Sequence, residues 1–194
     1  MRRRWGEERP WLRRSQSLTL GSRGLKRTIF MKFAGKRPKI LFLDVDGVLN
    51  TEFCRPRDAI HDKLLRRLGE VITFTGAKIV LSSTWRLHPD YRRKLLFELR
   101  AIGVDDSCVV DDTPQLPLKL GAWPPAEAQR AAEIAEWLRQ TRLKPATWVA
   151  VDDLDLMQSE FASLFAGHFV RTSKESGLSE ADCQRLCDIL GATT

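Results

Sequence analysis

Lys39-Ile-Leu-Phe-Leu43 is a five-residue run, apolar after its first position, that passes directly into Asp44-Val-Asp46-Gly47. An apolar run without polar alternation is how a strand buried on both faces reads, and such burial belongs to a parallel sheet covered by helices. Two carboxylates then stand where the strand leaves the sheet, the place where open α/β sheets carry their sites. The rest of the chain keeps the same rhythm. Short apolar runs recur at 78–81, 108–110, 147–151 and 168–170, and helical spacing fills the intervals. In 58–74 the apolar positions 60, 64, 65, 68, 71 and 72 share one helical face, and Gly76 closes the segment. Pro89 opens a helix over 89–102, with Gly103 beyond its end. Helices are predicted over 126–140, 156–165 and 179–190, the last with Ser179 as N-cap, whereas the four prolines in 111–125 mark a loop. The fold class implied is a three-layer α/β/α sandwich with a parallel sheet.

Polar clusters fall where that architecture needs them. The first strand ends in Asp44 and Asp46, the second in Ser82-Ser83-Thr84, and the fourth in Asp152-Asp153. Two carboxylates about 4 Å apart repel by about 4 kcal/mol at an effective dielectric of 20. Asp44, Asp46 and Asp152 therefore share a site only with a cation or a proton between them. An oxygen-only ligand set, with Asp153 adjacent, favours Mg²⁺ over a thiolate-bound zinc. Beside such an ion Asp44 can attack a phosphate ester and form an aspartyl-phosphate. Asp46 is placed to serve as general acid and then base. Gly47 keeps bulk away from the substrate, and Ser82 or Ser83 would bind phosphoryl oxygens. Arg130 is the cation expected to balance the transferring group, with Lys119 in reserve. Each cluster alone also has a structural explanation. The serines can cap a turn, the acids can open a helix, and Arg130 can pair on a helix surface with Glu127 or Glu133.

The formal charge of +7 is unevenly divided. Residues 1–37 hold 12 Lys+Arg against 2 Asp+Glu, a charge of +10, while residues 38–194 hold 20 against 23, a charge of −3. The basic character belongs to the N-terminal tail, which lacks periodicity and is expected to be disordered. It is either without a role or a basic arm contacting nucleic acid or acidic lipid. Met31 offers an alternative start, in which case residues 1–30 are an over-extended reading frame and the remaining chain is neutral. No apolar run approaches the roughly 18 residues of a membrane span, and no secretory signal is evident. Cysteines at 54, 108, 183 and 187 fit buried small hydrophobes in a reducing, cytoplasmic compartment.

The motifs together resemble the haloacid dehalogenase (HAD) superfamily. The first motif is Asp44-x-Asp46-Gly47-Val48, the second Ile79-Val-Leu-Ser-Ser83, and the fourth Val149-Ala-Val-Asp-Asp153; Arg130 is the loosest match, to the third. Asp-Gly-Val-Leu-Asn50, Ser83-Thr-Trp-Arg86, Arg130-x-x-Glu-Ile-x-x-Trp-Leu138 and Gly177-Leu-Ser179 look like the HAD domains of Swiss Army Knife RNA repair proteins. The resemblance covers essentially everything after the tail. It implies a Rossmann-like core with strand order 5-4-1-2-3 and phosphomonoester hydrolysis through Asp44. It also implies Mg²⁺ held by Asp44, the Asp46 carbonyl and Asp152, with Asp153 nearby. Neither interval between motifs fits a large cap domain, so the expected site is open to a small phosphorylated molecule or a nucleic-acid end. Trp85 and Arg86 would then stack on a base and grip a phosphate, or else Trp85 packs beneath the loop and Arg86 pairs with a structural acid; Trp123 could line the mouth in the same way. The competing function is a nucleic-acid-binding or RNA-repair-associated module with weak or no catalysis. Transfer to an acceptor other than water is a further alternative.

Overall fold

A computed structural model describes residues 37–55, 59–117 and 124–191. Along the chain come β1 (Lys39–Leu43), α1 (Asp62–Thr75), β2 (Lys78–Leu81), α2 (Pro89–Ala101), β3 (Val109–Asp112), α3 (Ala126–Gln140), β4 (Thr147–Asp152), the single-turn α4 (Ala162–Phe165), β5 (Phe169–Arg171) and α5 (Glu180–Gly191). The strands form one sheet in the order β3-β2-β1-β4-β5, with every neighbouring pair parallel. This is the expected order, read from the opposite edge. Among the described residues no inserted domain stands between β1 and α1 or between β2 and α3.

Register sets the site. Leu43 lies opposite Leu81 on one side and Val151 on the other. The next residues, Asp44, Ser82 and Asp152, therefore leave three adjacent strands at one level. The chain runs outward from β1 to β3 and returns through α3 to β4 on the far side of β1. The order reverses between β1 and β4, the kind of switch point at which open α/β sheets bind their ligands.

Alternation along the strands separates two apolar layers. Leu41, Leu43, Ile79, Leu81, Val149 and Val151 pack with Leu65 and Leu68 of α1, Leu95 and Leu99 of α2, and Leu186 and Leu190 of α5. On the other face the Phe42 ring meets Trp137 of α3 edge-on at 5.2 Å and Trp148 of β4 at 5.7 Å. Trp148 in turn meets Phe165 of α4 at 5.7 Å. The sheet is thus covered on both sides, as its unalternating strands require.

Several boundaries differ from expectation for local reasons. The first helix begins at Asp62 rather than 58, because the His61 N–H is bonded to Leu49 O at 2.8 Å and holds the preceding residues to the β1 loop. Gly76 ends it with φ +68°, a conformation that suits glycine. The third strand extends through Asp111 and Asp112, since the Trp137 indole donates to Asp111 and Arg92 pairs with Asp112. The 156–165 segment divides into a 3-10 turn and α4, because the Ser159 hydroxyl donates to Leu156 O and accepts from Phe161 N. Ser179 caps α5 as expected: its hydroxyl accepts from Asp182 N, and the Asp182 carboxylate accepts from Ser179 N. Arg37 donates to Lys144 O and Pro145 O just before β1. The expected tail and Met31 lie outside the described residues, apart from residue 37 itself.

Candidate active site

Asp44 extends the sheet by one step, its N–H bonded to Val151 O at 3.1 Å. Its side chain is buried, as is that of Asp152, whereas Asp153 is half-buried. One carboxylate oxygen from each of the three lies within 4.8 Å of the others. Arg130 enters from α3 with its Nη1 3.2 Å from Asp44 Oδ1 and also bonded to Asp152 Oδ2. Burial opposes the Arg130 charge, but Asp44 and Asp152 outweigh it and hold the guanidinium firmly protonated. Asp152 is pushed well above the usual carboxylate range, first by burial and then by Asp44, with Arg130 opposing. Burial and then Asp44 also raise Asp153. One guanidinium against three carboxylates leaves uncompensated negative charge at a buried place. All the donors are hard oxygens, so the cluster fits a hard divalent cation.

Gly47 is required beside this cluster. Its φ is +71°, and a Cβ there would stand 2.5 Å from Asp153 Cγ. The sharp exit from β1 and the position of Asp153 thus depend on the same missing side chain.

Asp46 stands apart from the acidic trio, exposed to solvent. Its Oδ1 accepts from Asn50 Nδ2 at 2.8 Å and its Oδ2 from Trp85 Nε1 at 3.1 Å. Asn50 Oδ1 accepts from Gly47 N at 3.0 Å. The two serines also separate. Ser83 Oγ accepts from Trp85 N at 3.3 Å and caps the turn Thr84–Leu87. Ser82 Oγ is buried with no hydrogen-bond partner, a condition it shares among the described residues with Thr113 Oγ1 at the end of β3.

Trp85 and Arg86 are not arranged as substrate contacts. Trp85 is only 3% exposed, with Tyr91 packed at 5.1 Å between ring centres, so no open ring face awaits a base. Arg86 donates to Ser82 O and Ser83 O at 2.8 Å and to Thr113 O at 3.0 Å, and it pairs with buried Glu133. Burial lowers the Arg86 pKa, with Glu133 opposing. The physical reason is common to both: a buried indole N–H or guanidinium needs acceptors, and the protein itself supplies them. Asn50 and Glu133 have roles that no periodicity or local spacing announces. Lys119 and Trp123 lie outside the described residues.

A parallel α/β sheet in this order, with an acidic trio and an arginine at its carboxyl edge, defines a haloacid dehalogenase core. A family model described as "HAD domain in Swiss Army Knife RNA repair proteins" matches residues 40–183, and the chain belongs to that family. Comparison with curated proteins and with solved structures gives no match. No helix among the described residues is long and apolar enough to cross a membrane.

Proposed function

We propose that this protein is a Mg²⁺-dependent phosphomonoesterase working through an aspartyl-phosphate on Asp44. The observation that carries the reading is the buried trio Asp44, Asp152 and Asp153, short of positive charge despite Arg130. Mg²⁺, held by these carboxylates and the Asp46 carbonyl, would neutralise the phosphate dianion that otherwise repels a carboxylate nucleophile. Asp44 attacks phosphorus while Arg130, 3.2 Å from its carboxylate, orients it. The bond from phosphorus to the ester oxygen breaks, and Asp46 delivers a proton to that oxygen. Water then attacks the aspartyl-phosphate, Asp46 takes its proton, and inorganic phosphate leaves. Ser82, rather than Ser83, is the phosphoryl-oxygen donor, because its hydroxyl is the one without a partner.

The family description favours a nucleotide or nucleic-acid end as substrate. The binding-module alternative has weaker support, since Trp85 and Arg86 are engaged internally and residues 38–194 carry −3. We assign the protein to the cytoplasm. Burial pushes the thiols of buried Cys108 and half-buried Cys183 up to about 11, as suits inert packing groups in a reducing compartment. The test is turnover of an aryl phosphate with and without Mg²⁺, followed by phosphorylated nucleotides, sugars and RNA ends. Asp44→Asn is expected to cut turnover by on the order of 10⁴-fold or more. Wild-type turnover in that variant would overturn the mechanism.

A further inference from the structure

An acid–base carboxylate must face the leaving oxygen, and Asp46 is exposed, so burial of its own side chain does not fix its direction. Two neighbours do. Trp85 Nε1 donates to one oxygen at 3.1 Å and Asn50 Nδ2 to the other at 2.8 Å. We infer that Trp85, with Asn50, positions the Asp46 carboxylate for proton transfer to the leaving group; this rests on the acid–base reading of Asp46 above.

Both donors are themselves held. Asn50 is buried, and its Oδ1 takes the Gly47 N–H at 3.0 Å, which leaves its amide nitrogen to face Asp46. Trp85 is fixed at three points. Its backbone N–H is bonded to Ser83 Oγ at 3.3 Å, its ring is packed on Tyr91, and the next residue, Arg86, grips Ser82 O and Ser83 O. A rigid connection therefore runs from the end of β2 through the indole to Asp46. One N–H on each oxygen fixes the plane of a carboxylate, as a single bond does not. Positioning of this kind matters because a small misplacement of a catalytic group costs much of its contribution. The arrangement also gives Ser83 a task distinct from that of Ser82. Ser83 sets the tryptophan, while Ser82 keeps its hydroxyl free.

The alternative is that Asp46 merely satisfies a buried indole N–H. Leaving-group chemistry separates the two. As the bond between Asp44 and phosphorus forms, an alkyl ester expels a strongly basic alkoxide that needs the Asp46 proton. A p-nitrophenyl ester expels an anion stable without it. Trp85→Phe keeps the ring and removes the N–H. In this variant kcat/KM for an alkyl phosphate is expected to fall about tenfold further than for p-nitrophenyl phosphate, part of the 10²–10⁴ that general acids contribute. Equal losses on both esters, or no loss on either, would overturn the inference. Asn50→Asp keeps an acceptor for Gly47 N–H and removes the other donor. It should show the same selective loss, and it serves if the tryptophan variant does not fold. Asp44→Asn is run alongside. If it hydrolyses both esters at the wild-type rate, the catalytic reading fails and takes this inference with it. If it is inactive while Trp85→Phe and Asn50→Asp lose both esters equally, only the positioning role fails.

Discussion

A buried hydroxyl without a hydrogen-bond partner costs about 1–3 kcal/mol, and Ser82 Oγ, in a residue 1% exposed, is such a group. The fold tolerates it one residue beyond β2, level with Asp44 and Asp152. Ser82→Ala should therefore raise the free energy of unfolding by about 1 kcal/mol. The same change should lower kcat/KM by roughly 100- to 1,000-fold, the scale for losing one donor to a developing oxyanion. Denaturant melts and steady-state kinetics on one preparation read both. A loss of stability with turnover intact would make Ser82 a packing residue. The sequence narrowed the donor to Ser82 or Ser83 but did not separate them, since adjacent residues after a strand differ only in where each side chain points. Trp85 and Arg86 illustrate the same limit. Their types suit an exposed substrate contact as well as a buried anchor, and only the surrounding carbonyls, Glu133 and Asp46 distinguish the two.

The turn Thr84–Leu87 and helix α3 come from distant parts of the chain, yet Arg86 and Glu133 join them through an ion pair whose side chains are 4% and 5% exposed. Glu133 also accepts from Gln129 Nε2 and Leu116 N, and Arg86 donates to four backbone carbonyls. Removing one partner strands the other charge where water cannot reach it. Glu133→Ala should accordingly cost about 3–5 kcal/mol, read as a lower denaturant midpoint at unchanged slope. A cost below 1 kcal/mol would mean that water enters and solvates Arg86. The helix itself was readable from its sequence, and its observed span is the predicted 126–140. So were the bounds of β1 and β2, because apolar runs and terminal glycine or proline signals are local. The ion pair was not, because its members are 47 residues apart and no short-range pattern links them. For the same reason the extension of β3 through two aspartates has no local signature, since their partners Trp137 and Arg92 lie on other elements.

The sheet as a whole gathers negative charge at one edge, and the consequence reaches global stability. Three strand ends agreeing on polar residues make this legible in the sequence. The separation of Asp46 from the trio is not, because the irregular turn after β1 has no period to read. Asp152 and Asp153 both have pKa values raised by burial and by Asp44. A carboxyl raised on folding binds more protons folded than unfolded, so its contribution is fully present below the ordinary value of 3.8 and declines as pH rises through the folded value. In metal-free protein at neutral pH these groups thus work against the fold. Asp153→Asn removes one such charge and should raise the metal-free Tm, with the gain over wild type growing as pH rises above 3.8. A divalent cation bound only by the folded state stabilises by about 2.7 kcal/mol at a hundredfold excess over Kd. For a chain of this size that corresponds to a rise of roughly 5–10 °C in Tm. Protons and cation compete for the same oxygens, so the Mg²⁺-induced rise should shrink as the medium is acidified through the window in which Asp152 and Asp153 protonate. It should also be smaller in Asp153→Asn than in wild type. Thermal melts of both proteins with and without Mg²⁺ test the point. An identical shift in the two would remove Asp153 from the ligand set, and no shift in wild type would leave the acidic trio without its cation.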